Sequence, residues 1–248
     1  MARAALYRGL SWRSAAVLEV RPETARASRL VLDPPDWPGH RPGQHLDVRL
    51  TAPDGYTAQR SYSIASAPEA PYVELIVDRL PDGEVSPYLT QELRAGDELE
   101  VRGPFGGWFV WQVELGGPVQ LIAGGSGVVP FLAMLDHHRA AASAVPVRLL
   151  YSVRTLSEVI QRERLAETQP DVRVDLALTR EAPPGWTGVS GRVDRTVLSR
   201  LVLPPAAEPQ VFVCGPTGFV DAVANAMIEL GHPSEKIKTE RFGASGGT

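Results

Sequence analysis

The sequence contains a single cysteine, Cys214, among 248 residues. One thiol cannot form a disulfide within the chain, a four-cysteine zinc site or a cysteine-ligated iron–sulfur cluster. Any iron–sulfur relay is therefore expected to be a separate protein. The five histidines have no acidic or cysteine partners at metal-ligand spacing, so we expect no metal site.

Positive charge is not in excess, since 25 Lys and Arg residues stand against 29 Asp and Glu residues. A nucleic-acid-binding domain would concentrate basic residues, so we expect no nucleic-acid partner. The longest apolar stretch, Leu121–Leu135, is interrupted by glycines and a proline and is not expected to span a membrane. The first residues also lack the apolar core of a signal peptide. We therefore expect a cytoplasmic, monomeric protein.

Hydrophobic residues make up 44% of the chain and charged residues 22%, which excludes disorder of the whole chain. The first half contains six short strand-like segments separated by Pro- and Gly-rich turns, which predicts an antiparallel barrel. One helix is expected among them at Ser86–Leu93, with Ser86 as its N-cap and Pro87 in its first turn. The predicted strands are Ala15–Val20, Ser28–Leu32, His45–Leu50, Gln59–Ile64, Tyr72–Asp78 and Glu98–Arg102.

The second half alternates compact apolar strands with helices, which indicates a doubly wound parallel α/β domain. Thr155 and Glu158 have the spacing of a capping box for the second of these helices. The predicted domains are therefore a six-stranded β-barrel over 12–112 and an α/β domain over 117–243, with a short flexible tail at 244–248. The predicted strands are Val119–Ala123, Val147–Tyr151, Val172–Leu178 and Gln210–Cys214, and the helices are Val129–Ala142, Leu156–Glu167, Arg195–Leu201 and Phe219–Leu230.

A glycine-rich loop follows the first strand of the α/β half and opens its first helix. Glycines let a backbone approach a pyrophosphate, and the N–H groups at the start of a helix face its charge. The pattern predicts a dinucleotide site at Gly125, Ser126, Gly127 and Pro130. The alternative is a loop that only closes a tight connection between strand and helix.

The residues that follow the second and third strands of the α/β half indicate which nucleotide binds. No Asp or Glu occurs from His137 through Ser157, where an NAD site would place an acidic residue for the ribose. Hydroxyl groups and arginines occur instead, which suits a 2′-phosphate and favours NADPH, with NADH as the alternative. Solvated surface arginines are the alternative reading. The residues concerned are Ser152 and Arg154 after the second strand and Thr179 and Arg180 after the third.

A second anion site is expected in the β half. The run from Arg60 to Ser63 alternates, so that Arg60 and Tyr62 project to one side and Ser61 and Ser63 to the other. Gly83 to Ser86 lie downstream at the start of the short helix. Two anion sites in two domains predict two phosphorylated ligands that meet between them.

Six motifs occur in an order that resembles the ferredoxin–NADP reductase superfamily, including the reductase components of bacterial oxygenase systems. The resemblance covers nearly the whole chain, from about Val17 to Gly243. The motifs are Arg60-Ser-Tyr-Ser63, Gly83-x-x-Ser86, Gly103-Pro104-x-Gly106, the Gly124–Pro130 loop, Cys214-Gly-Pro216 and Glu240-Arg-Phe242.

The resemblance implies roles for residues in several of these motifs. In the barrel, Arg60 would hold the pyrophosphate of FAD, Tyr62 would pack on the isoalloxazine ring and Ser63 would hydrogen-bond near its N5. Catalytic residues are expected to be Ser63, Cys214 in the nicotinamide pocket and Glu240 as a proton relay. Further cofactor contacts are expected from Ser61, Gly83, Val85, Ser86, Gly215, Pro216 and Phe242, the last covering the outer flavin face.

Three of these residues have an alternative interpretation as ordinary structural or surface residues. Tyr62 is alternatively an ordinary barrel aromatic, Cys214 a packing residue and Glu240 part of a solvated charge run. FMN is the alternative to FAD, because the tail after Phe242 has no aromatic residue to stack on adenine.

The resemblance implies an enzyme that passes hydride from NADPH to FAD and then single electrons to a small redox protein. The partner would be a ferredoxin, a Rieske-type protein or a haem protein. One alternative is a flavin reductase or diaphorase that reduces free flavin or oxygen. The other is a non-catalytic redox sensor that binds a nucleotide.

Overall fold

The computed structural model describes residues 11–167 and 169–242, so the predicted tail at 244–248 lies outside the described residues. The described chain divides into two compact units. The first unit takes in the chain up to Gln112 together with Leu132–Ala140, and the second takes in Val113–Phe131 and the chain from Ala141 onward.

The first unit is a six-stranded antiparallel sheet with the order β4-β3-β6-β1-β2-β5. An antiparallel bridge between Ile64 and Leu75 joins the two ends of this order and closes the sheet on itself. The predicted barrel is therefore confirmed. Its elements are β1 (Arg13–Pro22), β2 (Ala27–Asp33), β3 (His45–Thr51), β4 (Thr57–Ser63), β5 (Val73–Asp78), helix α1 (Ser86–Gln91) and β6 (Glu98–Phe105).

The barrel encloses an apolar core because its strands alternate between buried and exposed residues. On β3, Leu46 and Val48 are completely buried, while their partners on β4 are Tyr62 and Arg60. Within the described residues, the ladder of β4 is with β3, and its other edge is joined to β5 only at the Ile64–Leu75 bridge. Arg60 on β4 is exposed.

Helix α1 begins differently from its prediction. Val85, not Ser86, is the capping residue, and no side chain caps the helix. The Ser86 hydroxyl instead accepts a hydrogen bond from the Leu80 N–H at 3.0 Å. The hydroxyl closes the preceding loop, so the predicted N-cap is wrong.

The second unit is a parallel sheet with the order β10-β9-β8-β7-β11-β12, accompanied by helices, which confirms the predicted α/β fold. Its strands are β7 (Val119–Gly124), β8 (Val147–Val153), β9 (Val172–Leu178), β10 (Val189–Ser190), β11 (Gln210–Pro216) and β12 (Ile237–Phe242). The helices are α2 (Val129–Ala140), α3 (Arg162–Ala166), α4 (Arg195–Leu201) and α5 (Thr217–Glu229).

The strand order reverses between β7 and β11. From β7 the chain proceeds outward through β8, β9 and β10, and it then returns to β11 on the other side of β7. In open parallel sheets, ligands bind outside the carboxyl ends of the strands at such a switch point. The residues after β7 and at the end of β11 therefore lie where a ligand is expected.

Helix α2 begins in the second unit, but Leu132–Ala140 group with the first. Within the first unit, His137 Nδ1 lies 2.6 Å from Glu69 Oε1. The His138 ring stacks on the buried Trp111 ring, with centroids 6.1 Å apart. These contacts tie the last turns of α2 to the barrel unit.

The predicted helix Leu156–Glu167 is wrong, as is its capping box. The structure has a short 3₁₀ turn at Leu156–Glu158 and then α3, and the Thr155 side chain caps neither. Gln161 has φ 54° and ψ 41°, which breaks the helix. Val159 and Ile160 turn inward and are buried, and the Ile160 N–H donates to the Tyr151 hydroxyl. Burial of this pair overrides the local helical pattern.

No helix in the described part of the chain is long and apolar enough to cross a membrane. The longest, α5, has 13 residues, whereas a spanning helix needs about 20.

Candidate functional site

The glycine-rich loop lies at the switch point, directly after β7. Gly125–Val128 form a 3₁₀ turn that leads into α2, so Pro130 occupies the first turn of that helix as predicted. Gly125 has φ +56°, and a Cβ built on it would meet nothing within 4 Å. The backbone at Gly125 is therefore open, and Ser126 beside it is half-buried.

Gly127 packs directly against the end of β11. A Cβ at this position would lie 2.2 Å from the Cys214 carbonyl oxygen and 2.5 Å from its carbon. A Cβ on Gly215 would lie 2.9 Å from the Phe219 ring, which also approaches Gly124. Only glycine fits at Gly127, because any side chain would push the loop off β11.

Cys214 and Glu240 are opposite each other on the paired strands β11 and β12. Cys214 is 1% exposed, and burial together with the nearby Glu240 charge raises the pKa of its thiol well above the usual value. Burial also raises the pKa of Glu240 to about 7. Cys214 is therefore a neutral thiol, whereas Glu240 exchanges a proton near neutral pH.

The residues around Glu240 do not share its environment. Arg241 forms an ion pair with Asp221 at 2.9 Å and is exposed. Pro216 and Phe242 are also register partners, two residues beyond the Cys214–Glu240 pair, and both are exposed. The Glu240 side chain is thus the half-buried acid at this end of the sheet.

The predicted 2′-phosphate residues lie at the carboxyl ends of β8 and β9. The Arg180 N–H donates to the Arg154 carbonyl at 2.9 Å, which brings the two arginines together, and both are exposed. Thr179 is half-buried. Ser152, by contrast, is only 7% exposed, so the arginines are the more accessible donors.

In the barrel unit, Arg60 on β4 meets a carboxylate from the loop before α1. Arg60 Nη2 lies 3.0 Å from Glu84 Oε2, and Arg60 Nη1 donates to the Gln59 carbonyl at 2.7 Å. The Tyr56 hydroxyl donates to Glu84 Oε1 at 2.5 Å. The structure therefore brings Arg60 together with the Gly83–Ser86 segment, as the motifs predicted, through a residue that neither prediction named.

The other members of the Arg60–Ser63 motif have different surroundings. Tyr62 is half-buried against the barrel core, and burial raises the pKa of its hydroxyl. Ser63 is half-buried and opposite His45. Ser61 donates its hydroxyl proton to Asp47 Oδ1 at 2.7 Å. Its role as a cofactor contact stays a prediction.

The Gly83–Ser86 segment is a tight loop. The Gly83 N–H donates to the Leu80 carbonyl at 2.9 Å, which closes a turn. Val85 and Ser86 are both buried. Their backbone N–H groups lie at the start of α1, where a helix has no internal acceptors for them.

The chain matches the sequence-family models of two oxidoreductase domains. An oxidoreductase FAD-binding domain matches residues 20–110, and an oxidoreductase NAD-binding domain matches residues 121–225. NADH-cytochrome b5 reductase 1 of Pyricularia oryzae is 32% identical over 215 residues, which cover 81% of this chain and 69% of that protein. The chain belongs to the ferredoxin–NADP reductase family.

Other members of the family are similar over most of the chain. The glycine betaine monooxygenase reductase subunit of Chromohalobacter salexigens is 33% identical over 211 residues, which are 83% of this chain. The chain spans 56% of the length of that relative. The crystal structure of the Amycolatopsis cytochrome P450 reductase GcoB has a TM-score of 0.82 at 27% identity and covers 94% of this chain and 70% of GcoB.

Family membership confirms the resemblance and the enzyme class read from the motifs, an NAD(P)H-dependent flavin oxidoreductase. FAD and a nicotinamide nucleotide are the ligands of its two domains. Among the described residues of the barrel unit, Arg60 carries the positive charge that a pyrophosphate requires of its site. Arg60 already holds an anionic group, the Glu84 carboxylate, so its guanidinium is placed to bind an anion.

Three residues near the candidate sites were missed by the sequence reasoning. Tyr56 and Glu84 complete the Arg60 cluster, and Arg192 is exposed two residues beyond β10, the neighbour of β9. A carboxylate inside a segment expected to bind phosphate was the available signal for Glu84. No signal marked Arg192, because a two-residue strand has no periodicity.

We expect Gly127→Ala to destabilise the second unit by about 1–3 kcal/mol, since its methyl group overlaps the Cys214 carbonyl. Gly218→Ala is the matched control, because a Cβ there meets nothing within 4 Å. Urea unfolding followed by circular dichroism compares the two variants. Equal stability of the two would contradict the close contact between loop and strand.

Glu240 gives a pH-dependent contribution to stability. Its folded pKa of about 7 lies above the ordinary 4.5, so the contribution is fully present below about pH 4.5 and is lost as the pH rises through about 7. From pH 5 to pH 8, the free energy of unfolding of the wild type should fall by roughly 2–3 kcal/mol relative to that of Glu240→Gln. Urea titrations at both pH values measure this difference.

Glu235→Gln provides the control for that measurement, because Glu235 is an exposed acid just before β12. It should follow the wild type at both pH values. If Glu240→Gln follows the wild type as well, burial does not raise the pKa of Glu240.

Proposed function

We propose that the protein passes hydride from NADPH to bound FAD and then delivers single electrons to a separate redox protein such as a ferredoxin. One observation carries the proposal. The open glycine loop, the buried Cys214 thiol and the proton-exchanging Glu240 converge at the switch point of the α/β sheet. A nicotinamide nucleotide requires a phosphate-accepting backbone next to a water-excluding surface, and the open backbone at Gly125 and the buried thiol of Cys214 support this assignment.

We assign a separate role to each group of residues at this end of the α/β sheet. We assign the backbone of Gly125, Ser126 and Gly127 to the nucleotide pyrophosphate, at the start of α2. Cys214 forms an uncharged wall that excludes water from the nicotinamide. Glu240 holds a proton at its carboxyl group near neutral pH and exchanges it as charge moves through the site. We assign Pro130, Gly215 and Pro216 to the shape of the same pocket.

In the barrel domain, the proposed ligand is FAD. FAD, when bound, supplies the redox chemistry, because it accepts electrons as a pair and releases them one at a time. Arg60 binds the pyrophosphate together with the backbone N–H groups of the segment before α1. Tyr62 packs on the flavin ring and Ser63 donates a hydrogen bond near N5. The remaining assigned contacts are Ser61, Gly83, Val85, Ser86 and, on the outer flavin face, Phe242.

The proposed domains keep the limits expected from the sequence, with the flavin domain at 12–112 and the nucleotide domain at 117–243. The two family models, at 20–110 and 121–225, fall within these limits. Their positions support the assignment of one ligand to each domain.

NADPH is the proposed electron donor, since Arg154 and Arg180 together present two guanidinium groups at the ends of β8 and β9. Ser152 and Thr179 are assigned supporting positions at the same strand ends. NADH is the second candidate, and the name of the Pyricularia relative, an NADH-cytochrome b5 reductase, favours it.

The proposed acceptor is a separate electron-transfer protein. Similar proteins are named as the reductase subunit of a monooxygenase and as a cytochrome P450 reductase, both of which imply transfer to another redox centre. Free flavin and oxygen are the competing acceptors.

Stopped-flow reoxidation tests the function. The FAD-loaded protein is reduced with NADPH and mixed with a plant-type ferredoxin, a Rieske ferredoxin, a cytochrome, free FMN or oxygenated buffer. At least one protein carrier should reoxidise it faster than oxygen, with a rate that saturates with carrier concentration. Faster reoxidation by free FMN or oxygen would make the protein a diaphorase. If neither NADPH nor NADH is oxidised with ferricyanide as acceptor, the enzyme assignment fails.

We expect Arg180→Ala to weaken NADPH binding by roughly tenfold, because a charge-assisted hydrogen bond to the 2′-phosphate is lost. NADH binding should be unchanged, since NADH has no such group. Arg200→Ala, at an exposed arginine of α4, controls for the change in net charge. Dissociation constants from fluorescence titration give the comparison. Equal losses for both nucleotides would argue against the 2′-phosphate assignment.

A further inference from the structure

Arg60 is not a free guanidinium in this protein. Its Nη2 atom lies 3.0 Å from Glu84 Oε2. The other oxygen of that carboxylate, Oε1, accepts a hydrogen bond from the Tyr56 hydroxyl at 2.5 Å. The side chains of Arg60 and Glu84 are about equally exposed, at 50% and 49%. Ligands in solution can therefore reach the pair directly.

Glu84 lies between Gly83 and Val85, in the segment that the proposed function assigns to the FAD pyrophosphate. The following inference rests on that assignment. A carboxylate and a phosphate both accept charge-assisted hydrogen bonds from a guanidinium, and Glu84 does so here through one oxygen, Oε2. The Nη2 hydrogen that Arg60 donates to Glu84 is not available to a phosphate while this contact lasts.

The Glu84 carboxylate is charged at neutral pH. Its hydrogen bond from Tyr56, together with the Arg60 charge, lowers the pKa of Glu84 below its ordinary value. A phosphate-bearing ligand that takes Arg60 therefore leaves a negative charge beside its own, and exposed like charges repel. A ligand without phosphate meets neither the competition nor the repulsion.

We propose that Glu84 is a selectivity-determining residue of the flavin site, because its carboxylate competes with the ligand phosphate for Arg60. Glu84 weakens the binding of FAD and FMN and leaves the binding of riboflavin unchanged. Tyr56 acts through Glu84, as a positioning residue that holds the carboxylate toward Arg60. The affinity of the site for phosphorylated flavins is thus set below what Arg60 alone would provide.

Equilibrium binding of three flavins by the apoprotein tests the proposal, with flavin fluorescence as the readout. Glu84→Gln should tighten FAD and FMN binding by about fivefold, the factor that corresponds to loss of an exposed ion pair. Riboflavin binding should not change. Tyr56→Phe should act in the same direction by a smaller factor, since it releases the carboxylate without removing its charge.

Asp82→Asn is the matched control. Asp82 lies on the same loop, two residues before Glu84, and its side chain makes no ion pair or hydrogen bond with any described residue. The Asp82→Asn variant removes one negative charge, as Glu84→Gln does, but leaves the contacts of Arg60 unchanged. Its effect on the affinity for FAD should therefore be well below that of Glu84→Gln. Equal effects would show that only net charge matters and would overturn the proposal.

The double variant Arg60→Ala/Glu84→Gln isolates the competition. With Arg60 removed, Glu84→Gln should improve FAD binding less than it does in the wild-type background. An undiminished improvement, or an improvement that extends to riboflavin, would also overturn the proposal.

Failure of the inference is distinct from failure of the proposed function. If the wild type binds FAD and Glu84→Gln binds it no more tightly, the inference fails while the flavin assignment stands. If neither protein binds any of the three flavins, the flavin assignment itself fails, and the inference fails with it.

Discussion

The close approach of the Gly127 backbone to the Cys214 carbonyl sets the geometry of one end of the α/β sheet. Parallel pairing of β11 with β7 on one side and β12 on the other brings the carboxyl ends of three strands level with one another. The glycine loop, the thiol and the Glu240 carboxyl group therefore share one location, although they are far apart in the chain. The missing side chain at position 127 allows the loop to rest on the strand, and the chemistry of the site depends on that contact.

The two units present candidate anion-binding groups of different kinds. In the α/β unit, the glycine loop offers open backbone whose direction is set by the strand before it and the helix after it. In the barrel unit, the group is the flexible Arg60 side chain, which already forms an ion pair with the Glu84 carboxylate of the same chain. A backbone N–H group has no formal charge for a neighbouring carboxylate to neutralise, whereas a guanidinium does. The affinity of a side-chain site is therefore adjustable by single substitutions nearby.

Much of the fold could be predicted from local patterns. The apolar run Val172–Leu178 and the helix Arg195–Leu201 have the bounds that periodicity gave them, because burial and capping act on the same residues there. The segment Leu156–Glu167 shows where such patterns fail. Its helical spacing is real, but burial of Val159 and Ile160 against the unit has the larger effect.

The candidate sites were predictable to the extent that they rest on motifs. Glycine spacing located the loop, and the family resemblance of the motif Cys214-Gly-Pro216 assigned Cys214 to the nicotinamide pocket. Strand β12 was not predicted, since only Ile237 among its residues is buried and an edge strand needs little apolar pattern. Glu84 was not predicted either: its carboxylate inside a segment expected to bind phosphate was a local signal, but the sequence does not show that it pairs with Arg60, 24 positions away.

The division of α2 between the units has a consequence for protein engineering. Leu132–Ala140 belong with the barrel unit, where His137 and His138 contact Glu69 and Trp111, although the sequence places them after the glycine loop. A chimaera made by a single crossover near Gln112 would combine one parent's barrel with the other parent's helix. Exchange of the reductase halves between relatives therefore calls for two further crossovers, so that the last turns of α2 stay with the barrel that they contact in this structure.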